Sequence, residues 1–199
     1  MATINYQNAT VSLSEQVYEP AEDSFLLADS ALGIIMDDMN VLEIGTGSGF
    51  VSAVLQANRK ITLLATDISP FAASCARSNG IEVIRTDMFK GIKNKRQFDI
   101  VIFNPPYLPT TEEEKVPGWL NYAFDGGIDG RREIDPFMEE VAGYLKPEGF
   151  ILLLVSSLTG IDEVRTKIEK RGFITQVIAS KKCSFERLVV IKGICPDNN

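Results

Sequence analysis

A short apolar run at residues 100–103 ends abruptly in the sequence Asn104-Pro105-Pro106-Tyr107. Branched and aromatic side chains in a run of this length are typical of a strand that is covered on both faces of a parallel sheet. Neither proline has a backbone N–H to donate, so the strand cannot continue beyond Asn104. Because ligands of open α/β sheets bind at the carboxyl ends of the strands, the sequence predicts a functional site here.

Strand-like and helix-like segments alternate along the chain. Strands are predicted at residues 40–44, 61–65, 81–84, 98–103, 150–155, 173–178 and 188–191, and helices at 50–57, 70–80, 132–145 and 161–170. This alternation predicts a single α/β domain over residues 1–199, with a mainly parallel sheet, an N-terminal arm at 1–17 and a tail at 194–199. Because no helix separates the last two strands, we expect them to form an antiparallel hairpin.

A further helix is predicted ahead of the first sheet strand. Pro20 suits the first turn of that helix, where a proline removes no helical hydrogen bond. Glu22 and Asp23 complement the positive end of the helix dipole. Gly33 is typical of a helix C-terminus. The sequence therefore assigns both carboxylates to the start of a helix.

Several classes of chemistry are excluded by composition. The chain contains no histidine, which excludes Ser-His triads, histidine bases and histidine metal sites. Three scattered cysteines without a Cys-x-x-Cys pair predict no metal site and no disulfide framework. No apolar run approaches the length of a bilayer span, and we expect a cytoplasmic protein without a membrane partner. A net charge of −7 disfavours unaided binding to nucleic acid.

Three glycines, Gly45, Gly47 and Gly49, follow the first sheet strand and precede a helix. Glycine in such a turn lets the backbone turn tightly and approach a ligand closely. A dinucleotide-binding fingerprint would need glycine where this chain has Phe50, and no Gly-Lys-Ser/Thr of a P-loop follows. The spacing therefore predicts a ligand-binding loop of another kind.

Acidic residues accompany the glycine loop. Glu43 precedes the turn and favours a cationic ligand such as S-adenosylmethionine, which carries a sulfonium and an ammonium group. Asp67, at the end of the second strand, can accept from both hydroxyls of a ribose. Asp87 follows the third strand and can accept from an adenine amino group, with Met88 against the ring. Each residue alone is equally compatible with an ordinary βα turn, whereas the ordered set predicts a nucleoside site.

The Asn-Pro-Pro-Tyr sequence is compatible with a simple turn, but it also suits a specific reaction. The nitrogen of a planar amide or amidine is a poor nucleophile because its lone pair is delocalised. The Asn104 side-chain oxygen and the Pro105 carbonyl can each accept one N–H, and Tyr107 can stack on the planar group. Orientation and preorganised dipoles then favour methyl transfer without a strong base.

Three blocks of the chain resemble HemK-type class I S-adenosylmethionine-dependent methyltransferases, in particular the shorter archaeal and eukaryotic release-factor glutamine methyltransferases. The blocks are residues 17–24, the glycine loop at 43–49 and the Asn-Pro-Pro-Tyr motif at 104–107, and residues 125–130 match as well. The resemblance implies a Rossmann-like seven-stranded sheet in the order 3-2-1-4-5-7-6, with strand 7 antiparallel and helices on both faces. It also implies S-adenosylmethionine as the cofactor.

The expected site residues fall into two groups. The cofactor-binding set is Ser24, Glu43, Gly45, Gly47, Gly49, Asp67, Ile68, Asp87, Met88 and Asn104. The catalytic set is Asn104, Pro105, Pro106 and Tyr107.

The implied substrate is the glutamine N5 amide in the Gly-Gly-Gln loop of a class I translation release factor. Members of this branch often work with a small zinc-binding activator subunit. The Asn-Pro-Pro-Tyr motif is shared with adenine-N6 methyltransferases of DNA and RNA, and protein lysine is a further alternative acceptor. The acidic charge favours a protein substrate over a nucleic acid, and the intact motif argues against a non-enzymatic cofactor sensor.

Overall fold

The computed structural model describes residues 2–115 and 117–195 of the chain. Its strands are β1 (Thr3–Tyr6), β2 (Ala9–Ser12), β3 (Asn40–Ile44), β4 (Thr62–Asp67), β5 (Val83–Arg85), β6 (Phe98–Phe103), β7 (Leu145–Ser156), β8 (Ile174–Lys182) and β9 (Arg187–Ile194). Its helices are α1 (Glu22–Leu32), α2 (Phe50–Asn58), α3 (Pro70–Ser78), α4 (Ile134–Glu140) and α5 (Ile161–Lys170). Within these ranges, no helix has the length and apolar character needed to cross a bilayer.

Seven strands form one mixed sheet in the order β5-β4-β3-β6-β7-β9-β8. Strands β3 to β7 run parallel, and β9 is antiparallel to both of its neighbours. Counted along the chain from β3, this is the order 3-2-1-4-5-7-6 with an antiparallel seventh strand, so the predicted fold is confirmed. The order of the strands reverses between β3 and β6, and sheets of this kind bind ligands at that point.

Alternate side chains of β6 face opposite sides of the sheet. Ile100 and Ile102 belong to a buried cluster that α1, α2 and α3 cover. Val101 and Phe103 belong to a second cluster beneath α4 and α5. Full burial of an apolar side chain of this size stabilises the fold by about 1.5–3 kcal/mol. Helices therefore cover both faces, as predicted, and the carboxyl end of β6 is held by a packed core on each side.

An antiparallel hairpin of β1 and β2 occupies most of the predicted N-terminal arm. Val11 and Ala9 are buried in the cluster beneath α1 to α3. The ring of Tyr6 lies 4.9 Å from that of Phe25 and 5.7 Å from that of Phe50, between centroids. The hairpin is thus packed onto the helices α1 and α2.

Part of the predicted tail belongs to the sheet. Ile194 is the last residue of β9. Cys195 is buried, and its backbone N–H donates to the Gly149 carbonyl at 2.8 Å. Residues 196–199 of the predicted tail lie outside the described residues.

Helix α1 begins later than predicted. Ala21 is the residue that flanks the helix, with extended angles of φ −128° and ψ −159°. Pro20 therefore precedes the helix instead of lying in its first turn. Pro20 lies on the wall of the cavity described below.

Helix α4 is shorter than predicted, because the last residue of the expected helix, Leu145, belongs to a strand of the sheet. After Glu140 the chain forms a single 3-10 turn at Val141–Gly143. Leu145 then pairs with Phe98 as the first residue of β7. The third strand also shifts: the Ile81 N–H closes α3 by donating to the Ala76 carbonyl at 3.0 Å, so β5 starts at Val83.

Candidate functional site

A cavity of about 480 Å³ opens at the carboxyl ends of β3, β4 and β6. It lies at the point where the strand order reverses, because Ile44 of β3 is paired with Phe103 of β6. The cavity is lined by every predicted site residue except Gly49. The fold therefore brings together residues that are up to 83 positions apart, from Ser24 to Tyr107.

The three glycines of the loop have different neighbours. All have left-handed backbones, with φ of 64° at Gly45, 59° at Gly47 and 81° at Gly49. A Cβ atom on Gly47 would meet nothing within 4 Å, so this glycine borders open space. A Cβ atom on Gly49 would lie 2.9 Å from Ile81 Cγ1 and 3.2 Å from Ala76. Gly49 thus permits close packing of α2 on α3 and stands behind the cavity.

Glu43 is buried at the end of β3, beneath the glycine loop. Its Oε2 atom accepts from Thr46 Oγ1 at 2.7 Å and from Ser52 Oγ on α2. Burial raises the pKa of the Glu43 carboxyl to about 7, although the Ser52 and Thr46 hydrogen bonds oppose the shift. Near neutral pH this carboxyl is divided between its charged and neutral forms, and a bound cation would favour the charged form.

Asp67 connects two turns at the end of β4. Its Oδ2 atom accepts from the Gly47 N–H at 2.8 Å, and its Oδ1 atom accepts from the Ser69 N–H at 2.8 Å. Burial raises the pKa of this carboxyl, and the backbone hydrogen bonds act in the opposite direction. Each carboxylate oxygen has two lone-pair sites, so both retain capacity for a ligand hydroxyl. Ile68, next to it, also lines the cavity and is partly exposed.

Asp87 and Met88 follow β5, which ends at Arg85. The Asp87 Oδ2 atom forms a surface ion pair with Lys90 Nζ at 2.6 Å. Met88 has φ of 49°, a left-handed conformation that is uncommon for a side chain of this size. Such strained residues cluster at ligand sites, and Met88 lines the cavity.

Asn104 is held by a buried carboxylate that the sequence analysis did not assign to the site. Its Nδ2 atom donates to Asp23 Oδ2 at 3.0 Å. Asp23 is only 4% exposed, and its Oδ1 atom accepts from the Ser24 N–H at 2.6 Å and from the Tyr18 hydroxyl at 3.0 Å. The Asn104 Oδ1 atom is buried, and no described residue donates to it. It is therefore an acceptor that no described residue uses, on a side chain that lines the cavity.

The sequence signal for Asp23 was its place next to Ser24 in the block at residues 17–24. The dipole of α1 accounts for an acidic residue at this position, so the sequence alone does not indicate a second role. The partner in the fold, Asn104, lies 81 residues away.

The two ends of the Asn-Pro-Pro-Tyr segment differ in their backbone contacts. No hydrogen bond from residues 2–115 or 117–195 reaches the Pro105 carbonyl. Behind the segment, a Cβ atom on Gly126 would lie 2.9 Å from the Pro106 oxygen, and one on Gly130 would lie 2.5 Å from the Tyr107 oxygen. The loop at residues 125–130 thus approaches the motif so closely that only glycine fits at these two positions.

The two tyrosines of the cavity wall remain protonated. Burial raises the pKa of the Tyr107 phenol above its ordinary range, and the nearby charge of Asp23 acts in the same direction. The same two causes raise the pKa of the Tyr18 phenol. Neither phenol is suited to accept a proton as a base at neutral pH.

Negative charge dominates the cavity. Six of the described lining residues are carboxylates and none is lysine or arginine; the six are Asp23, Glu43, Asp67, Asp87, Glu133 and Glu186. A lining of this kind attracts a cationic ligand and repels a phosphate backbone.

Comparison with known proteins decides the family. A family model, the methyltransferase small domain, matches residues 25–117. A "Putative protein N5-glutamine methyltransferase" of Methanocaldococcus jannaschii is 40% identical over 96% of this chain and 98% of its own length. The chain belongs to the HemK-type methyltransferases. The human methyltransferase HEMK2 is 33% identical over 88% of each chain.

A solved structure shows the same fold at similar sequence identity. The Mtq2 protein of E. cuniculi, solved in complex with Trm112 and described as responsible for methylation of the termination factor eRF1, superposes with a TM-score of 0.75 and 30% identity. The match covers 90% of this chain and 98% of that one.

This methyltransferase uses S-adenosylmethionine, the cofactor of its class. Two features of the cavity fit that group. The carboxylates complement its net positive charge, and Gly47 leaves open space where a Cβ atom would stand.

Proposed function

We propose that this methyltransferase methylates the N5 amide of the glutamine in the Gly-Gly-Gln loop of a class I translation release factor. The observation that carries the proposal is the buried Asn104 Oδ1 atom, which has no hydrogen-bond donor among the described residues. An unsatisfied buried acceptor costs about 1–3 kcal/mol, so its retention at a cavity wall favours a role in binding a donor. The planar NH₂ group of a glutamine amide is such a donor.

The chain's own residues orient that amide. Asn104 Oδ1 accepts one N–H of the acceptor group, and the Pro105 carbonyl accepts the other. Together they localise the nitrogen lone pair and direct it into the cavity. Tyr107, protonated and half-buried, stacks on the amide plane. When bound, S-adenosylmethionine would supply an electrophilic methyl group, with its neutral thioether as the leaving group. The methylated amide nitrogen is acidic and releases one proton to water, so no strong base is required of the chain.

We propose that the predicted cofactor residues divide the ligand between them. Asp67, with Ile68 beside it, binds the ribose hydroxyls, and Asp87 and Met88 hold the adenine. Gly45 and Gly47 allow the backbone to approach. Ser24 and Glu43 serve the amino-acid end, where the carboxylate charge of Glu43 complements an ammonium group.

The nature of the lining supports a protein acceptor over a nucleic acid. A phosphate backbone would approach a cavity with six carboxylates and, among its described residues, no basic side chain. The relatives named for N5-glutamine and eRF1 methylation support glutamine specifically. Adenine-N6 of DNA or RNA and protein lysine are the alternatives, because adenine also has a planar NH₂ group and lysine is a cation.

We further propose that the chain acts as one methyltransferase domain over residues 1–199, with a small zinc-binding activator subunit as partner. The complex of the similar Mtq2 protein with Trm112 supports an activator. Three free thiols, at Cys75, Cys183 and Cys195, are compatible with a reducing compartment, and we propose a cytoplasmic location.

Labelled S-adenosylmethionine distinguishes the acceptors. The protein, with and without an activator subunit, is incubated with a release factor, with the Gln→Ala loop variant of that factor, with a basic lysine-containing peptide and with DNA and RNA. We expect label in the intact release factor and none in its variant. Transfer to nucleic acid or to lysine, without transfer to the release factor, would reject the proposal.

A further inference from the structure

We propose that Asp23 is a positioning residue that sets the polarity of the Asn104 amide, meaning which end of the amide faces the substrate. With Asp23 in place, the amide oxygen of Asn104, and not the amide nitrogen, faces the substrate group that receives the methyl group. This inference rests on the proposed function only in requiring an acceptor with a planar NH₂ group. It concerns a residue on α1, remote in sequence from the Asn-Pro-Pro-Tyr motif, whose side chain contacts Asn104 directly.

The hydrogen bonds of Asp23 determine which atom faces Asn104. One donor to Oδ1 is the Ser24 backbone N–H, at 2.6 Å, which cannot reverse its direction. The hydroxyls of Tyr18 and Ser24 donate to the same oxygen at 3.0 and 3.2 Å. The other oxygen, Oδ2, remains for Asn104. A carboxylate only accepts, so it must receive the amide NH₂ group of Asn104.

The opposite end of the Asn104 amide follows from this. With Nδ2 bound to Asp23, Oδ1 is turned away from the carboxylate and stays without a donor from the described chain. A rotation of the amide by 180° would place two oxygen acceptors against each other in a buried site, which is strongly unfavourable. Asp23 therefore keeps the Asn104 oxygen, a hydrogen-bond acceptor, toward the reacting NH₂ group of the substrate. It keeps the Asn104 nitrogen, a donor, away from that group.

The substitution Asp23→Asn reverses this polarity while preserving shape. The Ser24 N–H still requires an oxygen, so the new amide places its oxygen there and its NH₂ group against Asn104. Asn104 must then turn its oxygen to position 23 and its own NH₂ group toward the acceptor. The NH₂ group of Asn104 would then face the NH₂ group of the substrate that receives the methyl group. That substrate group would lose one of its two hydrogen bonds.

A second substitution restores the original polarity. In the double variant Asp23→Asn with Asn104→Asp, the amide at position 23 donates to the carboxylate at position 104. The other oxygen of that carboxylate faces the cavity as an acceptor. The pair keeps the same total charge and nearly the same volume, with the carboxylate and the amide exchanged.

Four proteins test the inference: the unchanged protein, Asp23→Asn, the double variant and the control Asp29→Asn. Asp29 lies on the same helix, is exposed and accepts from the Tyr6 hydroxyl at 2.8 Å, so its substitution removes a similar hydrogen bond outside the cavity. For each protein, kcat and KM are measured with the acceptor that the unchanged protein methylates. Cofactor affinity is measured by calorimetry and folding by thermal unfolding.

We expect Asp23→Asn to lower kcat about 100-fold, the size of effect seen when one preorganised hydrogen-bonding group is lost, with little change in cofactor affinity. The kcat of the double variant should be at least about tenfold higher than that of Asp23→Asn, because a hydrogen-bond acceptor at position 104 is restored. Asp29→Asn should retain full turnover. Recovery by exchange is not expected of a residue that only stabilises α1.

Two results would overturn the inference. One is an Asp23→Asn protein that turns over normally, and the other is a folded double variant that is no more active than the single variant. If the double variant does not fold, the Asp23→Asn protein tests the inference, through its loss of kcat compared with its loss of cofactor affinity. A loss in kcat alone would support the inference, and equal losses in both would show that Asp23 acts on the cofactor site. A failure of the proposed function is distinct, because the unchanged protein would then methylate a different acceptor or none.

Discussion

The backbone N–H of Gly47 donates to the Oδ2 atom of Asp67 at 2.8 Å, so the glycine loop is tied to the end of the neighbouring strand. The same carboxylate accepts from the Ser69 N–H, which belongs to the turn before α3. One side chain thus organises two βα turns that border the cavity. Its loss would affect the shape of the site as well as any direct contact with a ribose.

We expect Asp67→Ala to weaken the binding of S-adenosylmethionine by at least about tenfold, because hydrogen bonds to a charged group are each worth about 1.5–3 kcal/mol. Calorimetry of cofactor binding measures this effect. Asp37→Ala is a matched control, since the exposed Asp37 also accepts a backbone N–H, from Lys60 at 2.9 Å, outside the cavity. A dissociation constant that is unaltered by Asp67→Ala would remove the ribose assignment.

Asn104→Ala should lower the rate of methyl transfer by about 100-fold or more. The substitution removes the Asn104 oxygen, the hydrogen-bond acceptor that orients the reacting NH₂ group. Cofactor affinity should remain largely intact. Single-turnover transfer of labelled methyl measures the first effect and calorimetry the second. Asn5→Ala, at an exposed residue that accepts from Thr10, serves as the control. Normal turnover of Asn104→Ala would contradict the mechanism.

Glu43 should make the stability of the protein fall as pH rises. Its folded pKa of about 7 lies above the ordinary value of 4.5, so the native state binds this proton more tightly than the unfolded state does. The stabilisation is present below pH 4.5 and is lost progressively up to about pH 7. It amounts to about 3 kcal/mol, since one pKa unit corresponds to about 1.4 kcal/mol.

The variant Glu43→Gln isolates that effect. The free energy of unfolding is measured in urea between pH 5 and 8 for both proteins, and the difference between them should change with pH in the expected direction. Cofactor affinity of the unchanged protein should rise through pH 7, because the cation favours the ionised carboxyl, whereas that of the variant should not. A pH-independent difference in stability would place the pKa of Glu43 in the ordinary range.

Gly130→Ala should destabilise the protein more than Gly91→Ala. Both glycines have left-handed backbones, with φ of 73° and 82°, so both substitutions carry a conformational cost of about 1–2 kcal/mol. Only at Gly130 would the new Cβ atom also lie 2.5 Å from the Tyr107 oxygen and 2.5 Å from Thr159 Cγ2, whereas at Gly91 it meets nothing within 4 Å. Thermal unfolding compares the two variants. Equal decreases in Tm would show that the loop at residues 125–130 is not packed tightly against the Asn-Pro-Pro-Tyr segment.

Local features of the chain were predictable because their causes are local. The end of β6 follows from two prolines that cannot donate hydrogen bonds, and the turn after β3 follows from three closely spaced glycines. The alternation of strands and helices predicts the parallel sheet, while its strand order was supplied by the resemblance of three blocks to one family. Boundaries failed where a tertiary partner competed, as when Leu145 left the expected helix to pair with Phe98.

The sequence by itself determined that β3 ends at the glycine loop and that β6 ends before Asn104 and the two prolines, and therefore that both segments reach the cavity. Only the tertiary structure decided how those residues divide their roles. Gly47 and Gly49 have the same backbone handedness, yet one borders open space and the other packs on α3, because their neighbours come from distant segments. Asp23 bonds to Asn104 for the same reason: a hydrogen bond across 81 residues depends on the packing of α1 against the sheet, which no local pattern encodes.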